Sequence, residues 1–571
     1  MKLMIQRVRS HLWMFLTAIF FLSVESGADL LQPMMMSWIV DRGVKQEDVQ
    51  LILKYGVWML GIAFLGAIGA VMRNIYASKT SQLIGMEIRS DLYRKIQTLS
   101  FENIDRLQPA SLITRITNDV TQMQNFINGC MRIMVKAPIT CVGAILMIII
   151  QTPQLIPVMV VILAIAACLI AGNMKLGYPR FQRLQKKLDR INDVSREFLS
   201  SIRVVKAFGG EDQEQEKFDS AADDLAAAGM SATRVMAVFG PLINLTVNLG
   251  IVFLLLLSGY KGTIPIGKVM ASVNYMTQVL FALGMVSNIL NMAVRATASA
   301  DRIQEVLEEE PAQKSAADPL VKEIVGDICF KDVSFTYAGA GRPSVMDMNL
   351  EIHAGETIGI IGATGSGKTT LINLVPRFYD VSAGELLIDG VNVNLMEEHA
   401  LREAIAVVPQ KALLFSGTIG YNLRWGKEDA SEEEVKRAAE AACAEEFIQR
   451  QEKGYDTLLG QGGVNLSGGQ KQRLSLARAL LRHPKILILD DCTSALDAYT
   501  EAKVLKGLRE HSKDMTVLLI SQRISTVRRA DHILCMENGR AVGYGSHEEL
   551  MENCRLYQDI FRSQIGGEDN G

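Results

Sequence analysis

The order of apolar and polar positions divides the 571-residue chain into two halves. In the first half, apolar stretches run over residues 12–40, 51–76, 137–151, 155–174, 235–260 and 266–294. Each approaches the ~20 residues that a helix needs to cross a bilayer. The third and fourth are separated only by Thr152, Pro153 and Gln154, which predicts a tight turn. Two longer connections, containing SQLIGMEIRSDLYRKIQTL and FQRLQKKLDRINDVSREFLSSIRVV, place apolar residues at helical spacing with charges between them. They predict membrane helices that continue beyond the bilayer and return; a helical domain inserted between spans is the alternative. After residue 294 the chain becomes polar and helical, then Pro/Ala-rich, the composition of a linker. Beyond it, short β-branched runs such as DICFKDVSFTY, LEIHAGETIGIIG and AIAVVPQ alternate with glycine turns and helical stretches. The expected architecture is an α-helical membrane domain of six spans over 1–305, a linker over 306–323 and an α/β domain over 324–571.

Charge orients the first half. Lys and Arg gather in 77–136 and 175–234, whereas the opposite connections carry only Arg42, Lys45 and Lys261. By the positive-inside tendency, both termini and both long connections are expected in the cytoplasm. The N-terminal MKLMIQRVRSHLW resembles the charged start of a signal peptide, but the apolar stretch behind it is long and shows no small-residue cleavage pattern. An uncleaved first span behind a basic interfacial segment is expected, and a plasma (inner) membrane placement follows. The formal net charge of -3 argues against a nucleic-acid partner. The eight cysteines form no C-x-x-C pair and no His cluster has metal-ligand spacing, so the thiols read as reduced and structural.

Candidate chemistry lies in the second half. Residues Gly362, Ala363, Thr364, Gly365, Ser366, Gly367, Lys368 and Thr369, followed by Thr370, fit G-x-x-x-x-G-K-[ST] between a strand and a helix start. Such glycines let successive backbone N–H groups converge on phosphate oxygens; Lys368 neutralises β/γ-phosphate charge and the Thr369 hydroxyl can ligate Mg2+. The strand ILILD ends in Asp490, where a carboxylate can hold the Mg2+ shell. Between these motifs, Leu466, Ser467, Gly468, Gly469 and Gln470 open a basic helix, a second anion-seeking helix start.

LSGGQ, placed after the phosphate loop and before the Asp strand, resembles the signature of the ABC superfamily, and the chain is similar over essentially its whole length to an exporter-type half-transporter. In that resemblance Tyr337 of VSFTY corresponds to the adenine-stacking aromatic, Gln410 of VVPQ to the Q-loop glutamine that joins the Mg2+ shell, and Asp497 of SALD to the D-loop aspartate. FENIDRLQPASLITRITNDV and LSSIRVVKAFGGEDQEQEKF resemble the stretches that carry the coupling helices. The resemblance implies a P-loop nucleotide-binding domain with a RecA-like core and a helical subdomain, ATP and Mg2+ as cofactors, and ATP sandwiched between the phosphate loop of one chain and the signature of another. It also implies twelve spans in a dimer and alternating access.

Three positions depart from the family pattern. Asp491 stands where the family has the glutamate that polarises water, Gln522 where it has a switch histidine, and Gln461 of TLLGQGG where it has a glutamate before the signature. The Asp491 carboxylate is one methylene short, about 1.3 Å of reach, and a displacement of ~1 Å can cost on the order of 10²-fold in rate. Gln522 can donate a hydrogen bond but carries no proton or positive charge. Neutral drift is the alternative; two losses in one half-site favour specialisation. The expected partner is a different half-transporter that has both the catalytic Glu and the His.

For cargo, Glu25 and Asp29 lie one turn apart on the first span, and intramembrane carboxylates are functional candidates. Asn244 and Asn248 on the fifth span, and Asn274, Gln278, Asn288 and Asn291 on the sixth, are candidates to line a cavity; interhelical hydrogen bonding explains them equally well. A carboxylate pair would suit cationic amphiphiles, so export of amphiphilic drugs or lipid-like molecules is expected. Peptide export, and an ATP-gated membrane sensor that moves no cargo, remain alternatives.

Overall fold

The computed structural model describes residues 2–261, 264–314, 316, 318–511 and 514–565; the side chains of 2–3, 260–261, 283, 286–291 and 565 lie outside that description. Asn288 and Asn291 are among these. The chain divides into two compact units, 1–97 with 110–308, and 98–109 with 309–571.

The first unit is helical. Among the described residues, five helical runs are long and apolar enough to cross a membrane: Leu12–Val44, Val49–Gln97, Pro109–Gln151, Pro153–Phe208 and Glu211–Gly259. The sixth expected span falls in the helix Ile266–Glu308, part of whose side chains is not described. The expected segment 137–151 is not a separate element. It ends the run Pro109–Gln151, which is interrupted by π-turns at Arg115–Asp119 and Cys130–Met134. The helices Val49–Gln97, Ile156–Phe208 and Glu211–Lys261 have 49, 53 and 51 residues. At 1.5 Å per residue they reach about 73–80 Å, more than twice the ~30 Å hydrocarbon core. The charged connections are therefore continuations of the membrane helices, as their periodicity predicts. Gly209, at φ 63°, ends Ile156–Phe208 and turns the chain into the next helix.

Close helix packing fixes the ionic groups of this unit. A Cβ on Gly69 would meet the Phe21 carbonyl at 3.1 Å and the Glu25 amide nitrogen at 3.2 Å, so glycine lets Val49–Gln97 lie directly on Leu12–Trp38. One turn further on the same face, Arg73 reaches Glu25. Its Nε donates to Glu25 Oε2 at 2.6 Å.

In the second unit the strands are β1 (Ile328–Phe335), β2 (Val345–Ile352), β3 (Thr357–Gly362), β4 (Ala383–Ile388), β5 (Val391–Asn392), β6 (Ile405–Val408), β7 (Gly417–Thr418), β8 (Leu458–Leu459), β9 (Ile486–Asp490), β10 (Thr516–Ile520), β11 (His532–Glu537) and β12 (Arg540–Gly545). The main sheet has the order β12-β11-β3-β10-β9-β6 and is parallel except for β12. Its interior strands β9 and β10 are buried at every position, which is why they read as unbroken apolar runs. An antiparallel sheet, β2-β1-β4-β5, flanks it, and short helices form the region between β6 and β9.

The short helix Phe101–Leu107 belongs to this second unit. Buried Asn103 donates to the Glu310 carbonyl at 3.0 Å and accepts from the Ala312 N–H at 2.9 Å. Phe101 packs on Phe378 with ring centroids 4.7 Å apart, and the Tyr379 hydroxyl donates to Asp105 at 2.7 Å. Part of the first expected coupling stretch is thus locked to the α/β unit by a buried amide and an aromatic cluster.

Candidate functional site

In a parallel sheet, ligands sit beyond the carboxyl ends of the strands. Four adjacent strands, β3, β10, β9 and β6, end there in the phosphate loop, in Gln522, in Asp490 and Asp491, and in Gln410, respectively. Sequence positions up to about 160 residues apart are thereby gathered at one edge by strand order. A cavity of about 310 Å3 opens there, lined by Ser344, Thr364, Gly365, Gly367, Lys368, Thr369, Thr370, Gln410, Asp490, Asp491, Ile520 and Gln522.

The loop conformation depends on glycine where the backbone turns left-handed. Gly365 lies at φ 82° and Gly367 at φ 97°; a Cβ on Gly367 would meet the Ser344 carbonyl at 2.3 Å. Lys368 opens the helix Lys368–Leu374 and folds back over the loop, donating to the Gly362 carbonyl at 2.9 Å, the Ala363 carbonyl at 2.8 Å and the Ser366 hydroxyl at 3.3 Å. Among the described residues its ammonium is held by neutral acceptors alone. Burial lowers its pKa, partly opposed by the nearby charges of Asp490 and Asp491.

Facing it are two adjacent carboxylates, each 7% exposed. The Thr369 hydroxyl donates to Asp490 at 3.2 Å, and the Gln410 amide donates to Asp491 at 3.4 Å. Burial raises both pKa values; for Asp490 the Thr369 hydrogen bond opposes this and the charge of Asp491 adds to it. The donor set of one hydroxyl, one amide oxygen and one carboxylate, with a second carboxylate alongside, suits a hard divalent cation, and Mg2+ fits it. A bound cation would lift the penalty that raises these pKa values. Asp491 itself lies at φ 47°, a region that Asp tolerates better than most side chains.

Other expected residues are placed elsewhere. The half-buried Tyr337 lies just past β1, its hydroxyl 3.2 Å from that of Thr370, and meets Phe335 and Tyr379 edge-on. Ser467 caps the helix Gly468–Leu481 in a reciprocal box with Gln470, and Gly468 and Gly469 form its first turn. Asp497 accepts from the Thr500 N–H at 2.9 Å, which lowers its pKa. None of the signature residues, nor Asp497 or Tyr337, lines the cavity. Gln461 sits in the short 3-10 turn Gln461–Gly463 ahead of the signature.

Two buried polar groups escaped the sequence reading. Glu501 accepts from Thr493 at 2.8 Å, Thr526 at 2.6 Å and Arg523 at 2.7 Å, bracing the segment after Asp491 against the segment after Gln522. Gln472 donates to the Gln410 carbonyl at 3.4 Å and accepts from the Ala495 N–H at 3.3 Å, so the signature helix touches both neighbours of the cavity. A glutamate in the first turn of a helix and a glutamine inside a basic helix carry no local sign of these partners.

The membrane candidates need correction. Glu25 is bound by Arg73 and by Lys136 Nζ at 2.7 Å, and Asp29 by the same Lys136 at 3.1 Å. Two cations match two anions, so the pair is not a free acidic site for a cationic cargo. Gln278 donates to the Asp29 carbonyl at 3.3 Å, an interhelical bond, and Asn274 donates to Met270 on its own helix at 3.1 Å. Asn244 and Asn248 lie exposed on Glu211–Lys261 and are not gathered with the others.

Residues 15–283 match the family described as ABC transporter transmembrane region, and residues 345–494 match that described as ABC transporter. The chain is 38% identical to the ABC transporter ATP-binding protein YfiB of Bacillus subtilis, covering 96% of each. It is 30% identical to the ATP-dependent lipid A-core flippase of Vibrio vulnificus, covering 98% of each. Among solved structures, that of a bacterial Atm1-family ABC exporter with ATP bound superposes with a TM-score of 0.78 at 24% identity, over 98% of each chain.

Proposed function

This chain belongs to the ABC transporter family, an ATP-driven membrane transporter of exporter-type fold, and we propose that it is one half of a heterodimer whose own phosphate-loop site holds ATP and hydrolyses it poorly. The observation that carries this reading is Asp491: the carboxylate beside the strand-end Asp490 is short, buried and engaged by Gln410. In this reading the loop from Gly362 to Thr370 binds the phosphates, Tyr337 meets the adenine, and Thr369, Gln410 and Asp490 would hold Mg2+. The metal, when bound, supplies charge neutralisation across the β- and γ-phosphates. Asp491 and Gln522 face the γ-phosphate position without a full-length base or a titratable imidazole.

The second chain supplies a phosphate loop, a catalytic glutamate and a histidine, against which Ser467, Gly468, Gly469 and Gln470 of this chain close, with Asp497 at the seam. The absence of the signature from the chain's own cavity supports a composite site. Phe208, 86% exposed at the tip of two long helices, supports an apolar contact with a further chain. Both termini and the nucleotide-binding domain lie in the cytoplasm in this reading, with six spans in the inner membrane, and the cargo is a lipid-like amphiphile. The heterodimer is tested by mutating each half. Removing the partner's glutamate should stop steady-state turnover, whereas Asp491→Asn should change it little. Equal losses from the two changes would refute the asymmetry.

A further inference from the structure

The paired carboxylates of the membrane unit have a basic counterpart. A cavity of about 510 Å3 is lined by Arg73, Asn125, Asn128, Gly129, Arg132, Ile133, Lys136, Met285 and Met292, with no carboxylate among them. Glu25 and Asp29 pair with Arg73 and Lys136 and are not among the lining residues. Counting the group gives two negative charges against three positive, a net +1 that rests on Arg132. Arg132 is exposed, lies in the π-turn Cys130–Met134, and has no ionic partner among the described residues. Asn128 adds a buried Oδ1 with no hydrogen-bond donor among the described residues, a second sign that the wall is incomplete. Both observations point to a ligand with an anionic centre and a nearby hydroxyl or amine.

Depth narrows the source. Lys136 opens a 16-residue helix that ends at the turn with Thr152, about 24 Å away. Arg73 lies about 36 Å along its helix from Val49. With those turns on the outer side, the cations sit where a ~30 Å hydrocarbon core gives way to the cytoplasmic headgroups. Met285 and Met292 supply adaptable apolar surface beside them.

We propose that this cavity binds the phosphate-bearing headgroup of an anionic lipid taken from the cytoplasmic leaflet, with Arg132 as its principal cation and the Asn128 carbonyl accepting from the headgroup hydroxyl. This deepens the transporter reading by naming a cargo class opposite in charge to the one the acidic pair implied. Lipid retention is measured without nucleotide, so its failure is distinct from failure of the asymmetric ATP sites.

The test uses the full chain, in the oligomeric state in which it is extracted, in nanodiscs of phosphatidylcholine doped with phosphatidylglycerol. Lipid retained after detergent extraction is counted by native mass spectrometry. Wild type should enrich phosphatidylglycerol about tenfold over the bulk ratio; Arg132→Glu should abolish the enrichment and Arg132→Lys should keep most of it, with melting temperatures showing that both fold. Millimolar glycerol 3-phosphate should leave the lipid in place. Enrichment unchanged by Arg132→Glu, or none in wild type, overturns the site. Complete displacement by glycerol 3-phosphate overturns the lipid and leaves a soluble phosphate ester as the ligand.

Discussion

Two clusters of charged side chains in this chain, one in each unit, are resolved in opposite ways. In the membrane unit, Glu25 and Asp29 are matched by Arg73 and Lys136 within 2.6–3.1 Å. In the nucleotide unit, Asp490 and Asp491 lie next to each other, with only hydroxyl and amide donors in contact, while Lys368 is turned to carbonyls. A matched cluster is complete as it stands. An unmatched one is kept only where a cation and an anion will arrive, which is the chemistry of Mg2+ and a nucleotide phosphate.

The largest expected effect comes from breaking the matched cluster. Glu25→Ala leaves Arg73 buried and uncompensated, at a cost of about 3–5 kcal/mol; chemical denaturation in micelles should show it, and the pair Glu25→Leu with Arg73→Met should recover most of the loss. A small effect from Glu25→Ala alone would mean that water or lipid already solvates this group.

On the unmatched side, Lys368→Ala should weaken binding of a fluorescent ATP analogue by on the order of 10²-fold, the loss of charge-assisted contacts to phosphate. Retained affinity would place the nucleotide elsewhere. Glu501→Ala tests a third kind of burial, in which one carboxylate satisfies Thr493, Thr526 and Arg523. It should destabilise the domain by about 1–3 kcal/mol and leave nucleotide affinity less affected than its hydrolysis, because it braces the segments that carry Asp491 and Gln522.

The smallest effect is one of pH. Asp490 and Asp491 have folded-state pKa values raised by burial. Without a cation they impose no penalty below the ordinary carboxylate range; the penalty grows as pH rises through the raised values and is complete above them. Mg2+ binds the ionised form, so its stabilising effect should fade on acidification at a higher pH than for ordinary carboxylates. Melting temperatures with and without Mg2+ across the acidic range read this directly; a pH-independent Mg2+ increment would contradict it.

What the sequence made legible was whatever is local. The loop from Gly362 to Thr369 works through contiguous residues, and the buried strand β9 announces its end at Asp490 by an unbroken apolar run. The long helices were legible because their period continues through the charged connections. Glu25 stands out in the sequence as an intramembrane acid, but its partners, Arg73 and Lys136, lie 48 and 111 positions away, where no local pattern shows them. Gln472 and Glu501 were invisible for the same reason. The run Pro109–Gln151 was read as shorter than it is, because its π-turns and polar first half dilute the apolar signal.

The central claim is that Asp491 and Gln522 together keep this half-site from turning over. The most direct measurement is single-turnover ATP hydrolysis by the purified chain, whose own LSGGQ can complete the site in a homodimer, compared with the variant carrying both Asp491→Glu and Gln522→His. The account predicts a rise of on the order of 10²-fold in the variant with nucleotide affinity little changed. Equal rates, with wild type already turning over as fast as the variant, would contradict it.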